Sequence, residues 1–282
     1  MKSRRTVTVT AVLGSAALVT LGGLSGRITA PAAASTAPAA AAASAAPAAA
    51  PAAVKAFDEA GVSTGTGDKF TKAQWTKIRK AGFRLFITDP IAWSSECSNG
   101  TCSKPVDTCS VDQAAVTQIR DAKNAGLDYA VYTRNVRCLT AAINGLGSSL
   151  RQHLSFAVLD IETGPSVPPS AALVNGVKAL GVTPVFYSYQ SAWKPITGNT
   201  KAYDRYPLQD GEVPNFNVSF PAKHPAGFPK LVKMPHPYGG WSGYADIEQQ
   251  QANAEIAGIA TRSDAVDLDA VKAAWLATLP QA

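Results

Sequence analysis

The chain has 282 residues and a formal charge of +6, from 26 basic and 20 acidic residues. Four of the bases, Lys2, Arg4, Arg5 and Arg27, fall in the first 54 residues, which hold no acid, so the rest of the chain carries 22 bases against 20 acids. So mild a balance argues against a nucleic-acid partner, whose binders present basic patches or stripes.

The N-terminus runs Met1-Lys-Ser-Arg-Arg5 and then stays uncharged and largely apolar from Thr6 to Ser25, the layout of a basic region followed by the apolar core of an export signal. Ser3-Arg4-Arg5 weakly resembles a twin-arginine signal, but Val7 and Thr8 stand where bulkier residues are expected, which favours the ordinary secretion route. Small-residue cleavage sites lie near Ala30 to Ala34, so residues 1–34 read as a signal peptide with its cut site open. The rival reading is an uncleaved anchor, since an apolar run of roughly 18 residues can span a bilayer. Residues 35–54 are almost wholly Ala, Pro and Ser, with no amphipathic period and no large side chain to bury, and read as a spacer. Residues 55–282 suit one large domain.

Within that domain, Trp75, Ile78 and Ala81 are helically spaced, which predicts a helix over Thr71–Ala81 that ends before Gly82 and feeds a strand at Phe83–Thr88. The same grammar predicts a helix over Val111–Ala125 with a strand at Leu127–Thr133, and a helix over Ser170–Leu180 with a strand at Thr183–Tyr189. Ser155–Glu162 is a further apolar strand, while Leu231–Met234 and Ala265–Leu268 are weaker candidates. Trp193 to Gly243 is rich in Pro, Gly and aromatics with little period, and reads as long loops over the sheet. Repeated helix–strand units imply a parallel sheet closed into a single TIM-like (β/α) barrel, modified or incompletely regular, with an open doubly wound sheet as the alternative.

Cys97, Cys102, Cys109 and Cys138 are even in number in a chain read as exported, so disulfides are favoured over metal or thiol chemistry. Three pairings are possible. Asn99-Gly100 between Cys97 and Cys102 favours a tight turn that joins those two, leaving Cys109 to Cys138.

Asp160 and Glu162 stand two apart at the end of an apolar strand, so both side chains take the same face, the interior of a barrel. Two acids there are costly as packing, whereas the carboxyl ends of barrel strands are where catalytic groups gather. Glycoside hydrolysis needs such a pair, one protonated to serve the leaving oxygen and one anionic, and crowding of like charges supplies that split.

Several segments, in order, resemble the lysozyme-type enzymes of glycoside hydrolase family 25: Ala56-Phe-Asp58, Trp75–Ile87, Ala122–Tyr132, Leu159-Asp-Ile-Glu-Thr163 with its D-x-E core, Gly181–Ser188 and Val266-Asp-Leu-Asp269. The resemblance implies a modified barrel that cleaves β-1,4 bonds of peptidoglycan or a related N-acetylated glycan, without cofactor. It implies Glu162 as acid/base, Asp160 as helper of the substrate's own N-acetyl group, and Asp58 and Asp267 as shaping the site. Glu59 is the alternative to Asp58, and Asp269 shares the face of Asp267, for which helix capping is the bland alternative.

The chain departs from the family at Pro207-Leu-Gln-Asp210 and Gln249-Gln-Gln251, which lack the family's aromatics, and at Asp89-Pro-Ile-Ala-Trp93 after the second strand. Trp93, Tyr187, Tyr189, Tyr238, Trp241 and Gln250 are candidate substrate contacts, with core packing the competing role for each aromatic. His153, His224 and His236 show no zinc spacing, and no G-x-S-x-G or phosphate loop occurs in the domain. The expectation is a secreted, monomeric glycosidase whose partner is peptidoglycan or another wall polysaccharide, with a wall-binding or protein-binding barrel that no longer cuts as the alternative.

Overall fold

The computed structural model describes residues 49–61, 67–92, 108–162, 167–212, 222–262 and 265–282. Residues 1–48, expected to hold an export signal and most of a spacer, lie outside them, as do Trp93, Cys97 and Cys102. The chain divides into Met1–Pro47 and Ala48–Ala282, and the second unit holds a closed barrel.

Eight strands close the barrel in chain order: β1 Ala53–Glu59, β2 Phe83–Thr88, β3 Asp128–Thr133, β4 Ala157–Asp160, β5 Pro184–Ser188, β6 Leu208–Asp210, β7 Ile247–Gln251 and β8 Val266–Lys272. Strands β1 to β7 are parallel neighbours, whereas β8 runs antiparallel to both β7 and β1. A parallel return needs a crossover, usually a helix; an antiparallel one does not, and β8 follows β7 without a helix among the described residues.

The helices are α1 Lys72–Lys80, α2 Gln113–Asn124, α3 Leu139–Gly145, α4 Ser148–Arg151, α5 Ala171–Ala179, α6 Gln190–Thr197 and α7 Ala273–Leu276. The three predicted helices form with ends set by local chemistry. Thr71 and Gln74 make a reciprocal capping box on α1, and Asp112 and Ser170 cap α2 and α5. The predicted strands at Phe83, Leu127, Ser155 and Thr183 form with slightly different ends, and Ala265–Leu268 opens β8.

Three expectations change. Leu231–Met234 is not a strand, although Leu231 and Met234 are buried. The stretch read as loops from Trp193 contains most of α6 and all of β6. β6 and β7 escaped notice because Leu-Gln-Asp and Ile-Glu-Gln-Gln-Gln hold one apolar residue each; their inward positions are spent on Gln209 and Gln249. Cys109 and Cys138 form the expected disulfide.

Strand alternation sorts the core into two layers. Inside the barrel lie Ala56, Leu85, Ile87, Ala130, Phe156, Val158, Val185, Ile247 and Val271, with Leu276 of α7 and the partly buried Trp275 packed against them. The Phe156 and Trp275 rings stand 5.3 Å apart. Outside, between barrel and helices, Phe57 meets Phe70, Trp75, Phe83 and Phe86 at ring separations of 5.1 to 6.1 Å. Truncating Phe57 to Ala removes the ring on which these four converge. An equilibrium denaturant titration should show a loss of about 3–5 kcal/mol, as for other large-to-small aromatic changes in cores.

Candidate active site

Along β1, β3, β4, β5 and β7 the inward side chains pass from apolar to polar toward the carboxyl end: Ala56 to Asp58, Ala130 to Tyr132, Val158 to Asp160, Val185 to Tyr187, Ile247 to Gln249. β8 enters from the opposite direction, so its first residues join that polar end. The register sets Asp267 beside Asp58 and Asp269 beside Ala56 and Gln249. One cavity results, lined by Asp58, Ile87, Tyr132, Arg134, Val158, Asp160, Glu162, Tyr187, Gln209, Gln249 and Asp267.

Two glutamine amides tie the aspartates together. The Gln209 Nε2 group donates to Asp58 Oδ2 and to Asp269 Oδ1, both at 3.2 Å. Gln249 Nε2 donates to Asp267 Oδ2 at 2.7 Å, and its Oε1 accepts from the Tyr187 hydroxyl at 3.0 Å. The backbone N–H of Asn253 donates to the other oxygen of Asp267 at 3.0 Å. Gly211 leaves room for this ring, since a Cβ there would stand 2.6 Å from the Tyr187 hydroxyl.

Crowding and burial act in one direction on most of these acids. Burial first, then the charges of Asp269, Asp267, Asp160 and Glu162, push Asp58 well above the ordinary aspartate range. Asp269, fully buried, is raised by burial and by Asp267, against the pull of Gln209. Glu162 is pushed up to about 7 by burial and Asp267, while the Arg134 guanidinium pulls it down. Burial also raises Tyr132 and Tyr187, so both phenols stay neutral through the neutral range.

The structure brings Asp58, Asp160, Glu162, Asp267 and Tyr187 to one cavity. Glu59, the alternative to Asp58, faces the outer layer, where its carboxylate accepts from the Asp68 N–H and the Thr88 hydroxyl. Asp267 and Asp269 are strand residues, and neither caps a helix. Four candidate contacts lie elsewhere. The Tyr238 hydroxyl donates to Ser188 O at 2.7 Å and Asp210 Oδ1 at 3.0 Å, and the residue is 2% exposed. Trp241 donates to Tyr206 O and packs on Trp193 at 4.9 Å, so both rings are core. Tyr189 caps the start of α6, and its carbonyl accepts from Trp193 N–H. Gln250 faces outward onto Lys230 O, because the two-residue period turns Gln249 inward instead. Trp93 lies outside the described residues.

Tyr132, Arg134, Gln209 and Gln249 were missed as cavity residues. The first two follow Ala130 at the strand period and were legible once β3 was assigned an inward face. The glutamines sit on the two strands whose sequences carry no apolar alternation.

No model of a known protein family matches the chain, and no curated protein matches it. Among solved structures, that of the CTP1L endolysin aligns over 80% of this chain and 68% of that one, at 16% identity and a TM-score of 0.49. A likeness of that size identifies neither family nor activity.

Glu162 gives a stability prediction. Its folded value of about 7 exceeds the ordinary 4.5, so the folded state holds a proton that the unfolded state releases. The resulting stability is full below the ordinary glutamate range and is lost as pH rises through about 7. Calorimetric melts should therefore show Glu162→Gln raising Tm above neutrality by roughly a few degrees and flattening the decline between acid and neutral pH. Equal Tm differences at all pH values would contradict the assignment.

Proposed function

We propose that this chain is a secreted, retaining glycoside hydrolase acting on β-1,4 bonds of peptidoglycan or a related N-acetylated glycan. The observation that carries the reading is the convergence of Asp58, Asp160, Glu162 and Asp267, from three strands, on one cavity at the carboxyl end of a barrel. Barrel enzymes place their chemistry there. The family 25 resemblance at Asp58, Asp160, Glu162 and Asp267 supplies the reaction class, and the basic-then-apolar N-terminus with the Cys109–Cys138 disulfide supports export.

Glu162, held near 7 by its surroundings, is protonated in mildly acid solution and donates to the glycosidic oxygen as the bond from C1 to that oxygen breaks. The carbonyl oxygen of the substrate's 2-acetamido group attacks C1 from the other face, and Asp160 accepts the hydrogen bond of its N–H. Water then attacks C1, Glu162 takes the water's proton, and the acetamido group leaves, so the anomeric configuration is retained. Asp267, which accepts from the Gln249 amide and the Asn253 N–H, stabilises positive charge developing on the sugar ring, while Asp58, raised by burial and neighbouring acids and tied to Asp269 through Gln209, shapes the site.

A second reading is a barrel that binds wall glycan without cutting. Its support is that the lining aromatics are Tyr132 and Tyr187, with Tyr238 and Trp241 in the core.

Release of reducing ends from purified peptidoglycan separates the two. Glu162→Gln should reduce release by about 100-fold or more, and wild-type activity should fall as pH rises through about 7, when the acid loses its proton. Sedimentation with the wall but no release by either protein would favour the binding module.

A further inference from the structure

We propose that Arg134 is the positioning residue for Glu162, holding its carboxylate at the cavity and supplying the counter-charge that lets the surrounding acids share one cleft. This rests on the glycosidase reading only where it concerns turnover. Among the described residues, no other Lys or Arg lines the cavity.

The geometry comes from strand register. Tyr132 pairs with Val158 and Thr133 with Leu159, so Arg134 continues level with Asp160, beside the turn into Glu162. The backbone under Arg134 is fixed from two sides. Asp89, 1% exposed at the end of β2, accepts from the backbone N–H of Ile91 at 2.9 Å and from that of Arg134. The Thr133 hydroxyl donates to Asn135 O at 3.0 Å, and Cys138, in the short turn that follows, is bonded to Cys109. The restrained backbone fixes where the Arg134 side chain enters the cavity, and the acids it faces select among its rotamers.

The charges facing it explain why it is needed. Asp58 stands on β1, Asp89 just after β2, Asp160 at the end of β4 with Glu162 two residues beyond, and Asp267 and Asp269 on β8; Tyr132 and Tyr187 are the remaining titratable neighbours and are neutral. The coupling runs both ways: Arg134 draws Glu162 down, while the carboxyl groups of Asp89, Asp160 and Glu162 face its guanidinium. A planar fork orients a carboxylate in a way that an ammonium does not.

The test is the titration of Glu162 by carboxyl-carbon NMR in the folded full chain without glycan. Arg134→Gln should raise the midpoint above about 7 by on the order of one pH unit, and Arg134→Lys should return it while lowering kcat. Where the protein cleaves glycan, the alkaline limb of its pH profile should move with the midpoint. Arg134→Met provides the same neutralisation should the glutamine variant not fold. An unmoved midpoint in either neutral variant overturns the proposal, as does a lysine variant that titrates like the glutamine one. A shifted midpoint in a protein that releases no sugar supports Arg134's role and sinks the glycosidase reading instead.

Discussion

Asp58, Asp160, Glu162, Asp267 and Asp269 are gathered at one end of the barrel, and like charges brought close in a half-dry cleft repel one another. Much of the surrounding architecture answers that repulsion. Protons are retained to higher pH, Gln209 and Gln249 offer their amide hydrogens between carboxylates, and Arg134 brings the opposing charge from β3. The reversed β8 is what makes the crowding so dense. Run parallel like its neighbours, that strand would place Asp267 and Asp269 near its N-terminal, apolar end rather than beside Asp58.

An arrangement that favours acids at the mouth needs stability from elsewhere. The outer layer around Phe57 and Trp75 and the inner layer closed by α7 contain apolar side chains almost entirely. Glu59, buried against the outer layer, is satisfied by the Asp68 N–H and the Thr88 hydroxyl. The barrel is therefore graded along its axis, apolar at the floor and ionisable at the mouth, and the gradient follows from one inward residue per two along each parallel strand.

Most of the fold was legible because apolar periodicity is local. The helices predicted from Thr71, Val111 and Ser170 form within two residues of those starts, and the runs at Phe83, Leu127 and Thr183 mark strands. The face shared by Asp160 and Glu162 was legible for the same reason. Aromatic residues gave a poorer guide: Tyr238 and Trp241 lie in a glycine-rich loop that looked open to a ligand, yet their rings fill the space around Trp193 and Phe186. Burial of an aromatic depends on what packs over it, which no local pattern encodes.

By itself, the amino-acid sequence determined a series of helix–strand units and the inward pair Asp160 and Glu162, since each depends on neighbours a few residues apart, whereas closure of the barrel and the choice of Cys109 with Cys138 among three pairings came from the structure. Only the tertiary structure decided that β8 runs backward, that Asp58 rather than Glu59 reaches the cleft, and that Arg134, Gln209 and Gln249 complete it. These depend on strand register around a closed barrel, where residues as distant as Asp58 and Asp267 become neighbours through hydrogen bonds that no local stretch of sequence records.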